Sequence, residues 1–395
     1  MELLQEAKRQ LPDTVKYRRH FHRNPELSFK EVRSANFIAS ALADLGYQVQ
    51  TGIGKTGVVG LIKGTSEKPV FMLRFDMDAL PIQEETQVEY SSENSELMHA
   101  CGHDAHMAIG LTVAEMLRDH IQELPGTYKL VFQPAEEIGQ GAAAMILDGV
   151  LENPRPDYAL GVHVWNDYPC GWFGISEGPI MAGSDMFTVK IQGKGGHGAI
   201  PQLTADPVAA SAQIITALHS IVSRNISPLE AGVVSVTMVH GGVASNIIPS
   251  SVELQGTIRS FTNKVRSTIL ERFKQIVGSI ATAMGCVAEI EITRSTTPVL
   301  NAASVVYAAQ RSLKQLLPKA VLDSHYQTMG SEDMACFLDE IPGVFIFVGS
   351  ANAKEGKDFP HHHPKFDIDE NCLPSASALL IQTCIALAEQ TGTQV

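Results

Sequence analysis

The chain has 395 residues, 44% of them hydrophobic and 18% charged, and carries a formal net charge of -13. That length suits roughly two or three domains, and the composition excludes an intrinsically disordered chain. The acidic balance, with no basic block beyond KYRRHFHR, excludes a sequence-independent grip on nucleic acid phosphates.

The amino terminus, MELLQEAKRQLPDTVKYRRH, mixes charges into its apolar positions, unlike a secretory signal. No run approaches the roughly 18 apolar residues of a membrane span. Six cysteines without a CxxC pair make a disulfide framework improbable. A soluble, cytoplasmic protein is expected, with no membrane or nucleic acid partner.

Taken in chain order, KEVRSANFIASALADLG has helical spacing and ends at Gly46. VVGLIKG, VFMLRFDM, YKLVFQPA and ALGVHVW follow as short apolar runs bounded by turn signals. The alternation predicts an α/β sandwich with a largely buried sheet, whose strand ends are the places to look for a site. From about residue 183 the order becomes strand FTVKIQGK, helix DPVAASAQIITALHSIVSRN, strands VVSVTMVH and SVELQGTIRSF, helix KVRSTILERFKQIVGSIATAMG and strand VAEIEITR. That is the β-α-β-β-α-β order of a ferredoxin-like unit. Beyond residue 296 the α/β pattern returns with helix SVVYAAQRSLKQLL, strand GVFIFVG and a final helix from Pro374. The expected architecture is a catalytic α/β domain of residues 1–182 and 296–395, with 183–295 inserted as a lid or dimerisation domain. The crossings near 183 and 295 could serve as hinges.

HACGHDAH is the densest cluster of potential ligands. Cys101 and His103, two apart, can share a metal if the segment is extended. The competing reading is a turn broken by Gly102, with Asp104 capping the helix AHMAIGLTVAEMLRDH. In QPAEE, Glu136 and Glu137 diverge, so one carboxylate can bind metal while its neighbour remains a base; a solvated surface pair is the alternative. Taken alone, His163 in GVHVW reads more readily as a core histidine, and the HHH of FPHHHPKFDIDE could be a polar loop. In DMDALP, Asp76 and Asp78 follow a strongly apolar strand and would be costly unless paired or near a cation. GKGGHG and GIGKTG do not fit nucleotide-binding loops, for want of the following helix and acidic residue in one and of the leading glycine in the other. Glu332 and Asp333 read as a helix start with Ser331 capping. Cys170, Cys286, Cys336, Cys372 and Cys384 read as buried small residues.

Together, in this order, RFDMDALP, MHACGHDAH, QPAEEIGQGA, GVHVW, GKGGHGAIP, SNIIP and HHHPKFDIDE resemble the dinuclear metal amidohydrolases and metallopeptidases related to aminoacylase. The nearest branch is that of hippurate hydrolase, indole-acetyl-amino-acid hydrolases and N-acetyldiaminopimelate deacetylase, which RRHFHRNPELSFKE also matches. The resemblance implies two divalent metal ions (zinc, manganese or nickel) on Cys101, His103, Glu137, His163 and His362, with His361 and His363 as alternatives to the last. It implies Glu136 as general base and Asp78 as a supporting acid. It also implies that His197 stabilises the oxyanion in a neighbouring subunit's site, and that Asn246 and Arg259 contact substrate. Arg259 could otherwise be a surface charge. Distant members carry a histidine in place of Asp76 and a bridging aspartate in place of Cys101. The expected activity is hydrolysis of N-acyl amino acids by a homodimer, with a dipeptidase or carboxypeptidase as the alternative.

Overall fold

The computed structural model describes residues 2–392 and begins with a helix, Leu3–Arg23, that sequence patterning did not reveal. Its inward positions do follow helical spacing, through Leu3, Ala7, Thr14, Arg18, Phe21 and His22. Three of the six are polar, which hid the apolar stripe. Their partners are distant in sequence. Arg18 is fully buried and donates to Asp104 (3.1 Å), Asp367 (2.5 Å) and Glu370 (3.0 Å). His22 Nδ1 lies 2.7 Å from Asp104 and Nε2 3.2 Å from Glu84. Asp104 therefore does not cap its helix, as the competing reading of HACGHDAH had it. Gly102 occupies the cap position, and the carboxylate instead ties the first helix to His103–His120.

This hub predicts a pH dependence of stability. Burial opposes a charged His22, but Asp104 and Glu84 outweigh it and raise its pKa to about 9. The unfolded value is about 6.5, so the stabilisation is complete below that pH and is lost as pH rises through 9. Urea unfolding at several pH values should show wild type losing stability, on the order of 2–3 kcal/mol, across that window. The His22→Gln variant should be weaker at low pH and nearly flat; equal slopes in the two proteins would remove His22 from the account.

The chain forms two compact units. One contains residues up to Ile180, Val299–Gln327 and the chain from Glu332 onward; the other contains Met181–Pro298 and Thr328–Ser331. The first is built on an eight-stranded mixed sheet in the order Gln48–Ile53, Gly57–Lys63, Thr127–Gln133, Val70–Asp76, Tyr158–Pro169, Gly343–Ala351, Trp172–Gly174, Val321–Asp323. The central strands Val70–Asp76 and Thr127–Gln133 are buried at every residue, as continuous apolar runs require. These two strands and Tyr158–Pro169 are mutually parallel, so they deliver their following residues to one edge. Asp76 pairs with Gln133, and Arg74 pairs with Gly161. His163, two residues past Gly161, is therefore level with Asp76.

The last helix corrects one expectation. Within Glu370–Gln390 an 18-residue window has a mean hydropathy of 1.4, and the helix is long and apolar enough to cross a membrane. However, 78% of that window is buried inside the protein, against Leu3–Arg23, His103–His120 and Ala303–Leu316. Its apolarity is that of a core helix. All six cysteines are free; Cys170 and Cys336 are half-buried, and Cys286, Cys372 and Cys384 are buried.

The second unit has an antiparallel sheet in the order Gly232–Gly241, Ser251–Ser260, Gly183–Gln192, Val287–Thr296, the strand order of a ferredoxin-like fold. Pro207–Leu218 and Asn263–Ala283 cover one face around Phe187, Ile214, Ile258 and Phe273. Thr328–Ser331 joins this unit through Ala182 N–H to the Gly330 carbonyl (2.9 Å) and Arg259 to Ser331 Oγ (2.5 Å).

Candidate metal centre

The site begins where the buried strand Val70–Asp76 runs out. Asp78 sits just beyond it, and its carboxylate accepts the backbone N–H groups of Glu136 and Glu137, both at 3.0 Å, and the Ser28 hydroxyl at 2.7 Å. The two glutamates are thus held by their backbones while their side chains diverge. Neither belongs to a solvated surface pair; both are half-buried. Gly102 turns the chain between Cys101 and His103 with φ +91°, and a Cβ there would lie 2.3 Å from Val164 Cγ2. Only glycine allows this turn.

His103 donates from Nδ1 to the Asp78 carbonyl (2.8 Å), which leaves the Nε2 lone pair free. That Nε2 lies 3.6 Å from Asp76 and 3.9 Å from Glu137 Oε1. His163 donates from Nδ1 to the Val164 carbonyl (2.6 Å) and turns Nε2 to within 3.6 Å of Cys101 Sγ. His362 Nε2 lies 3.5 Å from Glu137 Oε2. Its neighbours point elsewhere: His361 Nε2 accepts from Asn166 N–H (3.2 Å), while His363 stacks on Phe359.

The donors fall into two groups that share one thiol, Cys101–His103–His163 and Cys101–Glu137–His362, each with ligand atoms within 4.8 Å of one another. Glu136 joins His103 and Glu137 in a third grouping. The buried Nε2 of His103 and Oε1 of Glu137 have no hydrogen-bond partner among the described residues. Orphaned buried atoms of this kind are costly unless a ligand satisfies them. Thiolate, imidazole and carboxylate donors in two such groups fit two divalent ions.

The electrostatics agree. Burial opposes a charged His103, yet Asp76 and Asp78 more than offset it and raise its pKa well above the ordinary histidine value. Burial raises Glu137 to about 7, with His103 opposing and Asp78 and Asp76 adding. Burial also pushes Glu136 well above the usual carboxylate range, helped by Glu332, Glu137 and Asp333. The pocket is short of positive charge.

Residues 72–385 match the peptidase family M20/M25/M40. The chain belongs to this family. Its members hydrolyse amide bonds, and the resemblance read from the seven motifs is borne out. Thermostable carboxypeptidase 2 of Saccharolobus solfataricus is 39% identical over 381 residues, covering 94% of this chain and 96% of its own. N-acetylcysteine deacetylase of Bacillus subtilis is 38% identical over 376 residues, covering 95% and 97%. A solved structure of a dinuclear metal-binding peptidase of the M20 family from Bacillus subtilis superposes with a TM-score of 0.84 at 34% identity, covering 97% and 99%.

Several residues of this M20 chain escaped the sequence reading. His106 gives Nδ1–H to Asp76 (2.5 Å) and accepts Val164 N–H at Nε2 (3.0 Å), so it is a brace with no free lone pair. Arg74 is fully buried and reaches Asp76 (2.7 Å), Glu332 (2.7 Å), Asp333 (3.0 Å) and Gln133 (2.8 Å). It is the cation that Asp76 was expected to need. The expectation that Glu332 and Asp333 only start a helix capped by Ser331 fails. Both are buried ion partners of Arg74, Asp333 also accepts Gln133 Nε2 (2.7 Å) and Ala142 N–H (2.9 Å), and Ser331 binds Arg259 instead. An arginine inside FMLRFD was the available signal.

The second unit holds the other expected residues. His197 pairs with Ile247 across a two-residue ladder, and Gly198 N–H donates to the Asn246 carbonyl (2.8 Å), so His197 and Asn246 are neighbours, both exposed. His197 Nδ1 accepts Ala199 N–H (3.0 Å), which places the proton of a neutral ring on Nε2. Arg259 is half-buried beside Ser331, which is not the setting of a solvent-face charge.

Proposed function

We propose that this M20 protein hydrolyses the amide bond of N-acyl amino acids, with acetyl, benzoyl or aryl-acetyl groups as the acyl part. The observation that carries this reading is the pair of donor groups sharing Cys101, with Glu136 beside them and outside both. Kinship to a deacetylase of N-acetylcysteine supports the substrate class. In this reading Cys101, His103, Glu137, His163 and His362 hold two divalent ions, zinc, manganese or nickel. Bound there, the ions would polarise the scissile carbonyl and make water acidic enough to lose a proton near neutral pH.

The protein's own groups do the rest. Glu136 takes the proton from the attacking water and delivers it to the amine nitrogen as the carbon–nitrogen bond breaks, so amide and water become a carboxylate and an amino acid. Asp78 keeps the Glu136 and Glu137 backbones in register and fixes the His103 ring. His197, with its Nδ1 occupied by Ala199 N–H, donates from Nε2 to the developing oxyanion in a neighbouring copy's site, while Asn246 and Arg259 hold the substrate. The protein then acts as a homodimer, and its six free thiols suit the cytoplasm.

The test is amine release from N-acetyl, N-benzoyl and indole-acetyl amino acids and from dipeptides, with and without chelator. Chelator-sensitive release from acylated compounds is expected. Release from dipeptides alone would favour the carboxypeptidase alternative, to which 39% identity with such an enzyme lends weight. A fully active monomer would remove His197 from the mechanism.

A further inference from the structure

The motif RRHFHRNPELSFKE contributes no ligand or base to the reading above, yet its last acidic residue is wholly buried. Glu31 is 0% exposed. It stands at the start of the helix Val32–Asp44 but makes no capping bond with its side chain. The carboxylate turns away to gather three separate loops. Oε1 accepts Phe29 N–H (3.0 Å) and Ala135 N–H (2.9 Å), and Oε2 accepts the Thr56 hydroxyl (2.6 Å).

Two of those loops are held in backbone conformations that side chains disfavour: Phe29 has φ +61° and Ala135 has φ +55°. Such residues persist only where surrounding contacts over-determine them. Ala135 immediately precedes Glu136. With its N–H on Glu31, and those of Glu136 and Glu137 on Asp78, three consecutive backbone donors are claimed by two buried carboxylates. Glu31 takes the N–H of the left-handed residue that precedes Glu136, while the Ala135 carbonyl accepts Gln140 N–H (3.2 Å) and Gly141 N–H (3.1 Å).

We infer that Glu31 is a positioning residue that sets the direction of the Glu136 carboxylate by holding Ala135 in its left-handed conformation. The inference rests on the reading of Glu136 as the base. What acts is hydrogen bonding and not charge, and this makes the glutamine variant informative. In Glu31→Gln, Oε1 can still accept from Phe29 and Ala135, and the amide can donate to Thr56, whose hydroxyl oxygen also accepts. Glu31→Ala loses all three bonds, and Glu31→Asp, shorter by one methylene, cannot reach all three loops.

The experiment measures kcat, KM, metal content and far-UV circular dichroism for the metal-loaded Glu31→Gln, Glu31→Asp, Glu31→Ala and Glu136→Gln proteins on an N-acyl amino acid. Expected are near-normal kcat for Glu31→Gln, and kcat lowered by about 10- to 100-fold for Glu31→Asp and Glu31→Ala. KM, metal content and fold should be unchanged in those two. Should Glu31→Ala fail to fold, the aspartate variant carries the comparison. Normal kcat in Glu31→Asp, or a fall accompanied by loss of metal or a rise in KM, would overturn the positioning role. So would a glutamine variant as poor as the alanine one. An active Glu136→Gln would instead refute the base, which separates the two failures.

Discussion

Replacing Glu136 by glutamine is expected to lower kcat by about 10³-fold while leaving metal content and KM unchanged. Glutamine keeps the shape and the backbone hydrogen bond from Glu136 N–H to Asp78, so the loop should not move. What disappears is the only function the proposal gives this side chain, carrying a proton from water to the leaving amine. Glu136 is excluded from both groups that share Cys101. Metal content, measured on the same samples as kcat, therefore separates base from ligand. A Glu136→Gln protein that turns over normally would contradict the assignment, and one that loses metal would make Glu136 a ligand.

Removing the sulfur of Cys101 should have a comparable effect by a different route. Because both donor groups depend on that one atom, Cys101→Ala weakens both ion sites at once. The loss should exceed the roughly 100-fold drop in metal affinity that follows removal of a partner behind a ligand. Amine release, followed as a function of added metal, should remain near background at concentrations that saturate wild type. Cys101→Asp replaces the soft donor with a hard one capable of bridging two ions. It should recover activity and shift the metal preference toward harder ions such as manganese. Equal metal dependence in wild type and Cys101→Ala would remove the shared thiol from the site.

How much of this was legible in the sequence depended on where each residue's partner lies. Cys101 with His103, and Glu136 with Glu137, are neighbours in the chain, so their chemistry was visible in short strings. The second unit was equally legible, because strands such as Ser251–Ser260 alternate buried and half-exposed residues and the helix Asn263–Ala283 buries Val265, Ile269, Phe273 and Val277 at helical spacing. Arg74 was not, since its function rests on Glu332 and Asp333, some 260 residues away, which looked like a helix start. His106 drew no separate reading, because its function as a brace rests on Asp76 and on the Val164 N–H, which the fold brings to its two ring nitrogens. The first helix was obscured because Arg18 and His22 occupy inward positions that pay off only against Asp104, Asp367 and Glu370. Glu31 looked like the entrance to a helix. In each case the sequence displays the residue, and only the fold supplies the group that makes its burial tolerable.

The measurement that bears most directly on the central claim is the number of divalent ions per chain, by elemental analysis, in wild type and Cys101→Ala after stripping and reloading. The account predicts two ions per wild-type chain, amine release that returns with the ions, and loss of both ions in the variant. Full amine release from stripped wild type, or two ions retained by Cys101→Ala, would contradict it.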